Sequence, residues 1–116
     1  LNRAEKFWID FEEALKKEDI RYLLEHSLDT VQCGDCGLDS TGKSEFYKAN
    51  FLFQKHLDLL KTTENFQVYS IFNDEGVYRV NYLIKSRQAP EGAYNVIYTF
   101  VDTPKGFLFQ GMFPVP

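Results

Sequence analysis

Histidine, cysteine, methionine and tryptophan are scarce in this chain, which has two His, two Cys, one Met and one Trp among 116 residues. A structural zinc site takes four ligands, and filling one here would use both cysteines together with His26 and His56, whose spacing has no zinc-site character. An excess of positive charge is also missing. Thirteen Lys and Arg stand against seventeen Asp and Glu, for a net charge of -4 and a pI near 5.1, and the basic residues are scattered. Phosphate-rich partners are recognised by clustered cations, so nucleic acid and anionic membrane surfaces are excluded as partners. No apolar run approaches the roughly 20 residues that span a bilayer, and no signal-peptide pattern opens the chain. The first residue is Leu1 rather than Met, which leads us to expect that a preceding segment has been removed. Internal repeats, low-complexity tracts and linkers are lacking as well, and the length suits one core, so residues 1–116 are expected to form a single domain.

Aromatic residues, by contrast, are abundant, at 16% of the chain within a hydrophobic share of 44%. They concentrate between Phe66 and Met112. Three turn signals divide that stretch: Asn73-Asp74-Glu75-Gly76, Ala89-Pro90-Glu91-Gly92 and Asp102-Thr103-Pro104-Lys105-Gly106. Runs rich in aromatic and β-branched residues lie between them, so the spacing predicts a four-stranded antiparallel meander. Tyr78, Val80, Tyr82 and Ile84, then Tyr94, Val96, Tyr98 and Phe100, recur at period two and define one apolar face. The opposite face mixes Arg79, Asn81 and Lys85 with Leu83, Ile97 and Val101.

Helices precede the meander. Asn2 is placed to cap a first helix reaching about Lys17, with Ala4, Phe7, Trp8, Phe11 and Leu15 on one side. Glu5, Asp10, Glu12, Glu13 and Lys16 form the solvated flank. Asp19 is placed to cap a second helix turning Ile20, Leu23, Leu24, Ser27 and Leu28 inward. Thr30-Val31-Gln32 suggests a short strand, and the Gly-rich segment after it a loop. From Ser44, the stripe Phe46, Ala49, Phe53, Leu57 and Leu60 predicts a third helix to about Lys61.

This order, helix, helix, strand, helix and four strands, resembles the nuclear transport factor two-like superfamily, which has a cystatin-like cone fold. Phe7-Trp8-Ile9-Asp10-Phe11 followed by Lys17-Glu18-Asp19-Ile20 is similar to the opening of such domains. Gly42-Lys43-Ser44-Glu45-Phe46 is similar to the entry into their third helix, and Gly106-Phe107-Leu108-Phe109-Gln110-Gly111-Met112 to their closing strand. The resemblance covers nearly the whole chain and is strongest to uncharacterised extracytoplasmic bacterial members. It implies an α+β cone in which N-terminal helices pack on a curved antiparallel sheet and close a pocket.

Superfamily enzymes place a carboxylate or a His-Asp pair inside that cone. Isomerase-type chemistry needs a carboxylate base facing hydroxyl donors in an apolar cavity. Tyr78, Tyr82, Tyr94 and Tyr98 supply hydroxyls, but no Asp or Glu falls on their face of the strands. For dehydratase-type chemistry, His26 and His56 fall beside their helical stripes rather than on them. No catalytic residue is therefore assigned, and Asp29 or His26 turned inward would be needed for an enzyme.

Cys33-Gly34-Asp35-Cys36 is a C-x-x-C motif, but it follows a strand and enters a loop. Redox motifs of this spacing work at a helix N-terminus, whose dipole lowers the thiol pKa, and Asp35 would raise it instead. The segment is expected to carry a local disulfide or two quiet thiols, and a disulfide implies an oxidising, extracytoplasmic compartment. Asp35, Asp39, Thr41 and Glu45 suggest a calcium loop, yet no register puts oxygen ligands, Gly and Glu at the required positions. We thus expect a non-catalytic domain without metal or cofactor. It would bind a small apolar ligand in a pocket walled by Trp8, Phe11, Leu24, Tyr78, Tyr82, Tyr98 and Phe100, or engage a partner chain. Leu83, Ile97 and Val101 on the outer sheet face predict a homodimer. A small isomerase or dehydratase using the same pocket is the alternative.

Overall fold

A computed structural model of the chain describes residues 2–34, 36–37, 45–61, 69–84 and 94–115. The expected turn at residues 89–92, the Ser44 cap, the start of the meander at Phe66, Lys85, and Asp35, Asp39 and Thr41 lie outside the described residues.

Helix α1 runs Arg3–Lys17 and begins where the sequence predicts, with Asn2 Oδ1 accepting from the Glu5 backbone N–H at 2.8 Å. Capping satisfies one of the helix's orphan donors. The helix ends at Glu18, a non-glycine residue in the left-handed region at φ 57°. Asp19 caps α2, Ile20–Glu25, by accepting from Tyr22 N–H at 3.2 Å. This helix is shorter than expected. Ser27 and Leu28 belong to strand β1, Ser27–Cys33, and not to the helix. The Ser27 hydroxyl donates to Leu23 O at 2.6 Å, which keeps a buried polar group bonded across the helix-to-strand corner.

The predicted third helix divides into three pieces. Phe46–Lys48 is strand β2, Ala49–Lys55 is α3, and Leu57–Leu60 is a 3-10 turn. Phe46 and Tyr47 are aromatic residues that suit an edge strand, and β2 pairs antiparallel with β1 through Val31↔Tyr47. Leu57 and Leu60 are both buried, and a 3-10 turn aligns side chains three apart. The meander follows as β3, Ser70–Asp74; β4, Val77–Ile84; β5, Tyr94–Thr103; and β6, Gly106–Val115.

The six strands form one sheet in the order β2-β1-β6-β5-β4-β3. The meander is antiparallel throughout, but β1 runs parallel to β6, so the sheet is mixed rather than wholly antiparallel. The parallel pair comes close at Gly111, where a Cβ would stand 2.5 Å from Gln32 Cβ and 2.7 Å from its carbonyl oxygen. Only glycine fits that approach. Between β5 and β6 the register shifts, pairing Thr99 with Gly111 and Phe100 with Phe109. Phe109 and Met112 are three residues apart, so without this bulge they could not both face the core.

The core lies between the helices and the inner sheet face. Register pairs Tyr78 with Phe100, Val80 with Tyr98 and Tyr82 with Val96, which sets the predicted period-two residues on one side. Phe7 meets Phe100 at 4.7 Å between ring centroids, Trp8 meets Tyr98 at 5.0 Å, and Phe11 meets Phe109 at 4.7 Å. One stripe of α1 thereby covers β5 and β6.

Candidate functional site

Five of the seven residues expected to wall a pocket, Trp8, Phe11, Tyr82, Tyr98 and Phe100, are fully buried. They come together as one ring cluster. Trp8 lies 6.3 Å from Tyr82 and 6.4 Å from Phe100, and Tyr82 meets Tyr98 edge-on at 5.8 Å. Tyr78 is half-buried at the margin and stacks on Phe100 at 5.2 Å. Leu24 lies elsewhere. It borders two open clefts of about 270 and 400 Å3 beside α2, together with Leu28 and Asp29.

The indole and the two buried tyrosine hydroxyls of the cluster all have partners within the chain. Trp8 Nε1 donates to the Tyr82 hydroxyl at 2.7 Å, and that hydroxyl in turn donates to Glu12 Oε2. The Tyr98 hydroxyl donates to Leu60 O at 2.8 Å. Glu12 corrects the sequence reading, which assigned it to the solvated flank; no carboxylate was expected on the tyrosines' own face of the strands, and this one reaches Tyr82 from α1 instead. Its side chain is 14% exposed, and Oε1 is 3.4 Å from Lys16 Nζ. A sequence signal did exist, because Glu12 follows Trp8 by four residues and so stands above it on the helix. Burial, and then the hydrogen bond to Glu12, push the Tyr82 phenol far above its ordinary value. Tyr69, whose ring lies 5.2 Å from that of Tyr82, is raised by burial and then by the charge of Glu12.

The two histidines sit at helix ends. His26 stacks on Tyr22 at 3.9 Å, and its Nδ1 is 2.8 Å from Tyr22 O. His56 is half-buried, 5.0 Å from the Phe51 ring. Asp29 is exposed on β1. A disulfide joins Cys33 to Cys36, with Cα atoms 5.6 Å apart. It lies where β1 leaves the sheet, between the Cys33 N–H bond to Glu45 O and the Gly34 N–H bond to Met112 O. Among the described residues, no group of three or more His, Cys, Asp and Glu side chains is placed to hold a metal ion. No described helix is long and apolar enough to cross a membrane.

The outer sheet face has a different character. Register places Phe72, Arg79 and Thr99 in one row across it, Ser70, Asn81 and Ile97 in the next, and Leu83 beside Asn95. Phe72 is 46% exposed and Leu83 is 53% exposed. Ile97, expected to be bare, is only 9% exposed, flanked by Asn81 and Phe113 on the adjoining strands.

No family model and no curated protein matches the sequence. Solved structures do match. A designed protein of the nuclear transport factor two-like class aligns with a TM-score of 0.60 at 11% identity, over 96% of this chain and 95% of its own. A nuclear transport factor two-like protein with a cystatin-like fold from Novosphingobium aromaticivorans aligns with a TM-score of 0.55 at 9% identity, over 97% of this chain and 78% of its own. At such identities the likeness concerns the fold, and activity has to be argued from the site.

Proposed function

With the nuclear transport factor two-like α+β fold as its frame, we propose that the chain is a non-catalytic interaction domain that self-associates through the outer face of its sheet. The observation that carries this reading is the exposure of Phe72 and Leu83 on that face. Large apolar side chains grouped on one side of a sheet form a surface that gains free energy when water is removed from it. The half-buried Val77 and Val101 extend the same face, opposite each other in register. Sedimentation at tens of micromolar tests the proposal. The expected species is a dimer, dispersed by Leu83→Lys with the far-UV spectrum unchanged, and a monomeric wild type would overturn it. Leu83 suits this test better than Ile97, whose burial would mix folding with association.

A second reading places a small apolar ligand, or isomerase-type chemistry, inside the cone, and the specific observation favouring it is Glu12 held against Tyr82. The interaction reading ranks first because that carboxylate already accepts a hydrogen bond from the Tyr82 hydroxyl and lies beside Lys16. A working base needs its lone pair aimed at a carbon acid within about 3 Å. The Cys33–Cys36 disulfide supports placing the protein in an oxidising, extracytoplasmic compartment.

A further inference from the structure

The Cys33–Cys36 disulfide has two unequal ends. Cys33 is fully buried as the last residue of β1, and its backbone N–H donates to Glu45 O at 2.7 Å. Gly34, the next residue, donates to Met112 O at 2.8 Å and lies so close to β6 that a Cβ on it would stand 2.7 Å from Phe113 Cβ. Cys36 lies past the end of the strand and is half-buried, with its backbone N–H donating to Cys33 O at 3.3 Å. The bridge has a sequence separation of only 3, and the entropic part of a disulfide's stabilisation is smallest for short loops. The backbone bonds at Cys33 and Gly34 already tie the end of β1 to the chain entering β2 and to β6, and neither runs through sulfur. What the bridge offers is therefore reactivity at one sulfur, because exchange needs an approach from solvent and of the two residues only Cys36 has one.

We propose that Cys36 is a site of S-thiolation, where a low-molecular-weight thiol of the glutathione kind exchanges onto the chain, and that the Cys33–Cys36 disulfide is the resting form of that site. The incoming thiolate attacks Cys36 Sγ, and a new S–S bond joins the two sulfurs. The Cys33–Cys36 bond breaks in the same step, its electron pair leaves on Cys33 Sγ, and that sulfur is then protonated. One disulfide replaces another, so no separate oxidant or reductant is consumed. Cys33 stays where β1 ends, held by its backbone bond to Glu45, and the sheet keeps its pairing through the exchange. Attack of Cys33 on the thiolated Cys36 reverses the step and releases the small thiol. This inference is independent of association through the outer face.

The test compares Cys33→Ala with Cys36→Ala, each treated with oxidised glutathione at about pH 8, near the ordinary thiol pKa. Intact mass follows the uptake, and the far-UV spectrum and Trp8 emission confirm the fold. In Cys33→Ala the Cys36 thiolate is expected to take one glutathione and release the other as a thiol. Cys36→Ala keeps only the buried Cys33, which is reached through local opening, and is expected to react more slowly by about tenfold or more. Equal rates, or faster uptake by Cys36→Ala, would overturn the proposal. A second measurement uses the unaltered chain and so does not depend on either variant folding. The disulfide-bonded protein is incubated with reduced glutathione, quenched in acid and blocked with a maleimide, and fragmentation assigns the modified cysteine. Glutathione on Cys36 with the maleimide on Cys33 is expected, together with an unchanged far-UV spectrum before the quench. Glutathione on Cys33, no adduct at either cysteine, or loss of the far-UV spectrum on exchange would each overturn it.

Discussion

Replacing Tyr82 by Phe removes one oxygen atom and leaves a buried indole N–H with nothing to bond. In the native protein Trp8 Nε1 donates to that oxygen at 2.7 Å, and the hydroxyl donates its own hydrogen bond to Glu12. Trp8 is fully buried, so water cannot replace the lost acceptor, whereas Glu12 keeps Lys16 at 3.4 Å and some exposure to solvent. An orphaned buried donor costs about 1–3 kcal/mol, and a hydrogen bond to a charged group contributes about 1.5–3 kcal/mol. With Glu12 partly rehydrated, the expected destabilisation is about 2–3 kcal/mol, or roughly 10 °C in Tm for a chain of this length. Urea unfolding followed by the emission of Trp8, the sole tryptophan, measures it in the Tyr82→Phe protein. The cause is isolated by repeating the substitution in a Trp8→Phe background, followed by circular dichroism. With the indole donor gone, Tyr82→Phe should cost about 1 kcal/mol less than before. A cost below about 0.5 kcal/mol, or the same cost in both backgrounds, would refute the claim that this relay holds the core.

Raised phenol pKa values at Tyr22, Tyr69 and Tyr82 make the folded state hold its protons more tightly than the unfolded chain, whose tyrosines titrate near 10.0. Stability is then complete below that pH and lost above it, with Tyr82 alone contributing a slope approaching about 1.4 kcal/mol per pH unit. Alkaline unfolding should start above pH 10 and be visibly shallower in Tyr82→Phe; an identical pH profile would contradict the assignment. Gly111→Ala should destabilise by about 2 kcal/mol or more in urea, because its Cβ would meet the Gln32 backbone, and a neutral result would mean that the β1–β6 crossing yields easily. Glu75→Asn should stabilise by about 0.5 kcal/mol, since Glu75 and Gly76 both have positive φ in a two-residue hairpin turn where Asn-Gly is preferred; a lower Tm would refute that turn assignment.

What the sequence made legible was local. Asn2 and Asp19 sit at their caps because a capping side chain reaches only three residues ahead. The inner face of the meander could be read because period two is a property of a single strand, and Tyr78, Val80 and Tyr82 do stand opposite Phe100, Tyr98 and Val96. The misreadings came from distant partners. Phe46 continues a helical stripe in sequence, but in space Phe46–Lys48 is next to an open edge of β1 and completes it. The parallel pairing of β1 with β6 joins residues some eighty positions apart and leaves no periodic trace. Glu12 was misplaced because a charged residue on a helix flank counts as solvated unless the residue four positions earlier carries a buried donor network. Trp8 carries one.

Hydrogen-bond accounting on the two faces of the sheet decides where this protein has free energy left for binding. On the inner face, the polar groups of the ring cluster are paired within the chain: the Trp8 indole, the Tyr82 and Tyr98 hydroxyls, and the Glu12 carboxylate. A ligand entering there would have to displace bonds that already hold α1 to β4, and with them the aromatic contacts around Trp8. Each displaced bond subtracts from affinity, and the ligand would gain only what it restores. On the outer face the balance is reversed. Phe72 and Leu83 are already in contact with water, so a partner there breaks no bond of the folded chain. That asymmetry, and not the size of any cleft, is why the outer face is the stronger candidate for function.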